Sequence, residues 1–191
     1  EGIDVVGWYL PSLSTPRRDV RRALSGIRFR SASGEQFDAF ALDVEATTVR
    51  SIAKRTRLAT SIVASVRRGA PAHYPLVAIT IDPAGARYWP GYPFRQLAPN
   101  IDVFLPMAYF TARTSGVHNV REYTRRNVEL IRELVGDSAF PVHPIGGDTH
   151  DAPLREVRAF LTQSALSDSL GASLWEYGRM TPAQWRALSV S

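Results

Sequence analysis

Apolar runs of strand length recur along this chain, separated by segments whose apolar positions keep helical spacing. The runs at 3–10, 37–44, 75–82, 101–108, 140–145 and 171–177 are nearly continuous and rich in Val, Ile, Leu and Phe. That pattern predicts parallel strands buried on both faces. Between them, Thr15-Pro16 offers an N-cap with proline at the first helical position, and Val20 and Leu24 form the inward stripe. Val49, Ile52, Leu58, Ile62 and Val66 keep helical spacing over 47–68, with Gly69 as the stop. Asn119 followed by Glu122 resembles a capping box, ahead of an apolar face of Val120, Tyr123, Val128, Ile131 and Leu134 that ends before Gly136. Asp151 and Pro153 open a further helix with Leu154, Val157 and Leu161 inward, and Thr181-Pro182 with Gln184 opens the last.

Strict alternation of strand and helix leaves an open doubly wound sheet or a closed barrel. A doubly wound nucleotide fold needs a glycine-rich turn after an early strand. Gly146-Gly147 comes late and lacks that frame. Polar and aromatic residues instead gather at the C-terminal ends of several strands, where a barrel keeps its chemistry. The expectation is therefore an α/β fold of (β/α) TIM-barrel type, one domain over residues 1–191, with six βα units visible.

Composition narrows the function classes. Apolar residues make up 45% and charged residues 21% of 191, which is globular rather than disordered. No stretch approaches the roughly 18 consecutive apolar residues of a membrane span. Without cysteine there are no disulfides, thiolate nucleophiles or Cys-ligated metals. The net charge is +5, yet of 23 basic residues only Lys54 is a lysine, and arginine doublets such as Arg17-Arg18, Arg67-Arg68 and Arg125-Arg126 are spread over the helices. A nucleic-acid binder gathers its charge in one stripe, so solvated helix faces or an acidic polymer substrate fit better. No signal peptide is visible, because Glu1 runs almost directly into the first strand.

The second strand ends Leu42-Asp43-Val44-Glu45. Residues two apart on a strand share a side, so Asp43 and Glu45 project together. Neighbouring carboxylates raise the pKa of one member and suit it to act as a general acid. The alternative is a buried pairing of both with arginine. Asp82 ends the third strand as either a second working carboxylate or a turn acid before Pro83. Tyr88, Trp89, Tyr92 and Phe94 crowd the following loop, as a sugar-binding wall or as a satellite hydrophobic cluster. His143 is a core histidine or a residue of the barrel mouth.

Asp43-x-Glu45 at a strand end resembles the signature of family 18 chitinase-like barrels and of family 25 lysozymes. Against the family 18 pattern Asp-x-x-Asp-x-Asp-x-Glu, Asp38, Asp43 and Glu45 match, while Ala41 replaces the middle acid. The resemblance implies that Glu45 is the acid. Met107-x-Tyr109 is similar to the family 18 strand whose tyrosine holds the reacting sugar, and Trp175-Glu176 resembles the closing strand whose tryptophan floors the site. Gly7-Trp8-Tyr9 is like the Gly-aromatic strand that precedes the Asp-x-Glu strand in both families. By that alignment the visible strands are the third to eighth of eight, and two βα units lie upstream of Glu1.

The expected function is hydrolysis of a polysaccharide, with Glu45, Asp43, Tyr109 and Asp82 catalytic. Trp175, Tyr9, Trp8, Met107, Trp89 and Glu176 would contact the sugar, and Asp43, Glu45, Tyr109 and Trp175 would share one cleft. The partner is then a polysaccharide or oligosaccharide, and an extracellular or cell-envelope location suits it. Asp148, His150 and Asp151 could suggest a metal, but Asp151 is read as a helix cap and two-carboxylate hydrolysis needs none, so no metal or cofactor is expected. Ala41 favours the alternative, a carbohydrate-binding or scaffold barrel with a degenerate site.

Overall fold

The computed structural model describes residues 2–148, 150 and 152–188. Strands and helices alternate: β1 (Val6–Tyr9), α1 (Pro16–Ile27), β2 (Ala39–Asp43), α2 (Ile52–Gly69), β3 (Leu76–Thr80), α3 (Phe94–Leu97), β4 (Val103–Pro106), α4 (Val117–Val135), β5 (Ile145–Asp148), α5 (Leu154–Leu166), β6 (Ser173–Trp175) and α6 (Pro182–Leu188). The chain divides into two compact units, one of residues up to 80 with 88–103, the other of 81–87 with residues from 104 onward. Among the described residues no helix is long and apolar enough to cross a membrane.

The first unit is built on parallel strands in sequential order, with Tyr9 opposite Leu42 and Asp43 opposite Ile79. Phe40, Leu42, Leu76 and Ala78 are buried from both faces, as their apolar runs require. α1 lies close to the sheet because Gly26 leaves room for the Phe40 ring, which a Cβ there would meet at 2.4 Å. Its inward stripe is Asp19, Ala23 and Ile27, while the forecast Val20 and Leu24 are only half-buried. α2 starts where Ser51 caps the Lys54 amide at 3.4 Å, leaving the Lys54 side chain on the exposed face. Its buried face holds Ala59, Ile62, Val63, Val66 and a guanidinium, that of Arg55. Each buried Ile or Val contributes about 1.5–3 kcal/mol.

In the second unit the strand forecast at 140–145 is shorter and later than expected. Phe104 and Val142 make one isolated parallel bridge, and the ladder resumes only at β5, which pairs in parallel with β6. Pro141 and Pro144 have no N–H to donate, so the ladder is interrupted at both, and between them the His143 amide reaches the Phe104 carbonyl, at 2.9 Å. The strand then runs through Gly146, where a Cβ would meet Leu174 and Phe160 at 2.8 Å. The described strands thus form a four-stranded and a two-stranded sheet instead of a continuous closed barrel.

Helix ends differ in how well they were legible. The forecast capping box on α4 is absent: the N-cap is Gly116, and Asn119 donates to the Ser115 carbonyl instead. At the other end Gly136 takes the left-handed conformation (φ 84°) that stops the helix. The capping box on α6 is present, with Gln184 Oε1 accepting from the Thr181 amide at 2.7 Å and Thr181 Oγ1 accepting from the Gln184 amide at 3.3 Å. Asp151 lies outside the described residues, and the N-cap of α5 is Pro153. Phe110, Val120, Val157 and Phe160 make the core between α4 and α5.

Candidate active site

Asp43 is the last residue of β2 and Glu45 lies in the turn that follows. β2 carries Asp43 to the C-terminal edge of a sheet buried on both faces, so the residue is only 7% exposed. Among the described residues Asp43 Oδ1 has no hydrogen-bond partner. Ala41, two positions back on the same side of the strand, supplies no polar group to it. Burial, and then the charge of Glu45, push the Asp43 carboxyl up to about 7. The raised member is thus the buried Asp43. Glu45 is half-buried.

Two tyrosines of the 88–94 loop grip this turn. The Tyr92 hydroxyl donates to the Val44 carbonyl at 2.8 Å, while the Val44 amide continues the ladder to Ile79 at 2.9 Å. Burial, then the nearby Asp43, raises the Tyr92 hydroxyl well above its ordinary value, so it remains a donor. The Tyr88 hydroxyl donates to Glu45 Oε2 at 3.2 Å, and the Tyr88 ring is exposed. Trp89, forecast as a sugar contact, is instead 1% exposed, and no face of its ring is open to a ligand. It packs edge-on to Tyr92, its Nε1 donates to Thr56 Oγ1 at 3.1 Å, and the Arg55 guanidinium sits 4.8 Å from its ring centre. The loop aromatics around Trp89 are therefore the satellite cluster, and Tyr88 is the ring left facing outward.

Trp8 and Tyr9 stand on β1. Trp8 is more than half exposed, while the Tyr9 hydroxyl donates to Asp19 Oδ1 at 2.7 Å. Asp19, fully buried, also accepts from the Leu13 amide at 3.0 Å and from Ser12, tying the loop after β1 to α1. Sequence reading missed Asp19 and Arg55. An acid on the apolar period of α1 and an arginine on that of α2 were the available signals.

The second unit holds the remaining candidates, Asp82, Met107, Tyr109, Trp175 and Glu176. Asp82 is buried in a network: Arg113 reaches it with Nε at 3.0 Å and Nη2 at 3.2 Å, and the Tyr123 hydroxyl donates to Oδ2. Its backbone carbonyl takes the Gly85 and Ala86 amides, so it is also a turn acid. A fully engaged carboxylate suits structure better than catalysis. Replacing Asp82 by Asn turns an amide N–H₂ toward Arg113 and is expected to cost about 1–2 kcal/mol in urea denaturation. Unchanged stability would mean the network holds nothing. Tyr109 and Met107 are half-buried, Trp175 is exposed, and Glu176 pairs with Arg179 at 3.4 Å. His143 is lowered by burial, as a core histidine is. Asp148 pairs with Arg179 at 3.2 Å, and no metal-holding cluster exists among the described residues.

No protein-family model and no curated protein matches the chain. Solved structures do. An endo-beta-1,4-mannanase from Thermotoga petrophila aligns at TM-score 0.60 and 14% identity, over 85% of this chain and 42% of its own. A chitinase from Chromobacterium violaceum aligns at TM-score 0.63 and 14% identity, over 93% of this chain and 72% of its own. The hyperthermostable endo-1,4-beta-D-mannanase from Thermotoga petrophila RKU-1 aligns at TM-score 0.59 and 13% identity, over 84% of this chain and 53% of its own. The chain thus spans about half the length of the mannanases. At these identities the likeness establishes the fold, an α/β architecture with parallel strands of the kind these glycoside hydrolases have.

Proposed function

We propose that this chain carries the acid/base carboxylates of a polysaccharide-cleaving glycoside hydrolase, with Glu45 as the acid that touches substrate. The observation that carries this reading is the buried Asp43 carboxyl, pushed up to about 7 beside the more accessible Glu45 at the C-terminal end of β2. Strand ends of this polarity are where barrel enzymes keep their chemistry. Likeness in fold to two mannanases and a chitinase supports the same reaction class.

The Asp43 carboxyl, raised to about 7 by burial and by the charge of Glu45, still holds part of its proton near neutral pH. In this reading Glu45, the member that reaches substrate, passes a proton to the oxygen of the leaving sugar as the glycosidic C–O bond breaks. Asp43, or an acetamido group of the substrate, then faces the positive anomeric carbon, and water ends the reaction. Asp82 takes no part in this scheme because Arg113 and Tyr123 occupy it.

One observation favours a second reading, a carbohydrate-binding domain without turnover. Ala41 stands where a further acid would face Asp43, and Asp43 Oδ1 is left without a partner. The two readings separate in one assay: reducing ends released from soluble β-1,4-mannan and from chitin oligosaccharides, between about pH 5 and 8. Release that follows a bell-shaped pH profile supports the enzyme. Retention of either polymer with no release supports the binding domain.

A further inference from the structure

The 88–94 loop lies 43 residues downstream of the turn it meets, yet it is held there at several points. Its backbone is fixed first. Arg55, 4% exposed, donates Nη1 to the Tyr88 carbonyl at 3.1 Å and Nε to the Val49 carbonyl at 2.9 Å, with its plane near the Trp89 ring. Trp89 is anchored to Thr56 on the same helix, α2. A guanidinium buried without a carboxylate partner costs stability unless carbonyls and a π-face replace water around it. Arg55 has both, so its burial serves to hold loop backbone rather than to neutralise an acid. With residues 88 and 89 held, the tyrosines on either side of Trp89 reach the turn: Tyr92 donates to the Val44 carbonyl and Tyr88 to the Glu45 carboxylate.

We propose that Tyr88 is the positioning residue for Glu45, and that Arg55 makes the 88–94 loop a clamp which fixes the direction of that carboxylate. Glu45 sits in a turn, outside the ladder, and would otherwise sample several rotamers. A hydroxyl donor at Oε2 leaves Oε1 as the oxygen turned toward substrate. The inference rests on the hydrolase reading only for its kinetic arm.

The test is Tyr88→Phe, which removes one hydroxyl from an exposed ring and leaves the core intact. Two readouts are taken. On a polysaccharide that the parent cleaves, kcat should fall about ten-fold with KM unchanged, as expected when a reacting group loses its alignment. Independently of turnover, the Asp43 carboxyl carbon is followed by NMR across pH. Glu45 is the charged group that acts on Asp43, and both, with Tyr88, act on the buried Tyr92 hydroxyl. If Glu45 swings away once Tyr88 lets go, its charge acts less on Asp43 and the Asp43 midpoint moves down from about 7. Arg55→Lys, which keeps the charge but loses the planar fork, should move the midpoint the same way, whereas Arg55 variants that merely loosen the fold would lower the melting temperature alone. An Asp43 midpoint unchanged in Tyr88→Phe overturns the clamp. If the parent cleaves nothing while the midpoint moves, the clamp stands and the hydrolase reading falls.

Discussion

Glu45→Gln should lower turnover on a cleaved polysaccharide by about 10²–10⁴, the usual worth of a general acid. Glutamine keeps the shape of the side chain and can still accept from the Tyr88 hydroxyl, so binding of the polymer should survive. The loss then falls on kcat with KM nearly constant, the signature of an interaction made only in the transition state. The measurement is a Michaelis series with the parent and the variant on the same soluble polymer. A parent-like kcat in Glu45→Gln would move the acid elsewhere in the molecule.

Asp43→Asn should do two opposite things. A carboxyl that titrates near 7 in the fold, against an ordinary value of 3.8, keeps its proton through a range where the unfolded chain has lost it. The native state then binds more protons than the unfolded state, so stability falls as pH rises from about 4 to about 7 and levels off above. Below about 4 both states are protonated and the burden vanishes. Asparagine carries no such burden, and at pH about 8 the variant should be the more stable protein by an amount on the order of 2–3 kcal/mol. Its activity should drop and its pH profile flatten, because the carboxyl that titrates near 7 beside Glu45 is gone. Urea titrations of both proteins at about pH 4 and pH 8 check the first half. A stability difference that ignores pH would show that Asp43 holds no proton of consequence. A residue that harms the fold and helps the reaction is the mark of a working site.

The order of elements was legible in the sequence because near-continuous apolar runs and 3.6-residue spacing are backbone-level signals. Five of the six strands overlie their forecast runs. The exception, β5, passes through Gly-Gly-Asp, which has little strand propensity and is held by the Phe160 and Leu174 side chains that close over Gly146. Polar residues on buried faces were the main blind spot. Asp19 and Arg55 occupy inward positions of α1 and α2, and periodicity reads such residues as solvent-facing, since their partners are distant in sequence. The same limit explains Trp89 and Tyr88: composition marked an aromatic loop, but only the Arg55 anchor decides which ring turns in and which turns out. Likewise Asp43-x-Glu45 identified the pair, while burial, invisible in the sequence, decided which member keeps the proton.

The near-exclusive use of arginine for positive charge has a practical side. Guanidinium groups do not react with amine-directed labels at ordinary pH, so Lys54 is the only side-chain amine in this sequence that such a reagent can modify. It stands exposed in the first turn of α2, next in the chain to the arginine that grips the 88–94 loop. A fluorophore attached there would stand beside the 48–51 segment that precedes α2, without any engineered cysteine. Its anisotropy, followed while mannan or chitin oligosaccharides are titrated in, would report whether sugar binding is felt at the start of α2.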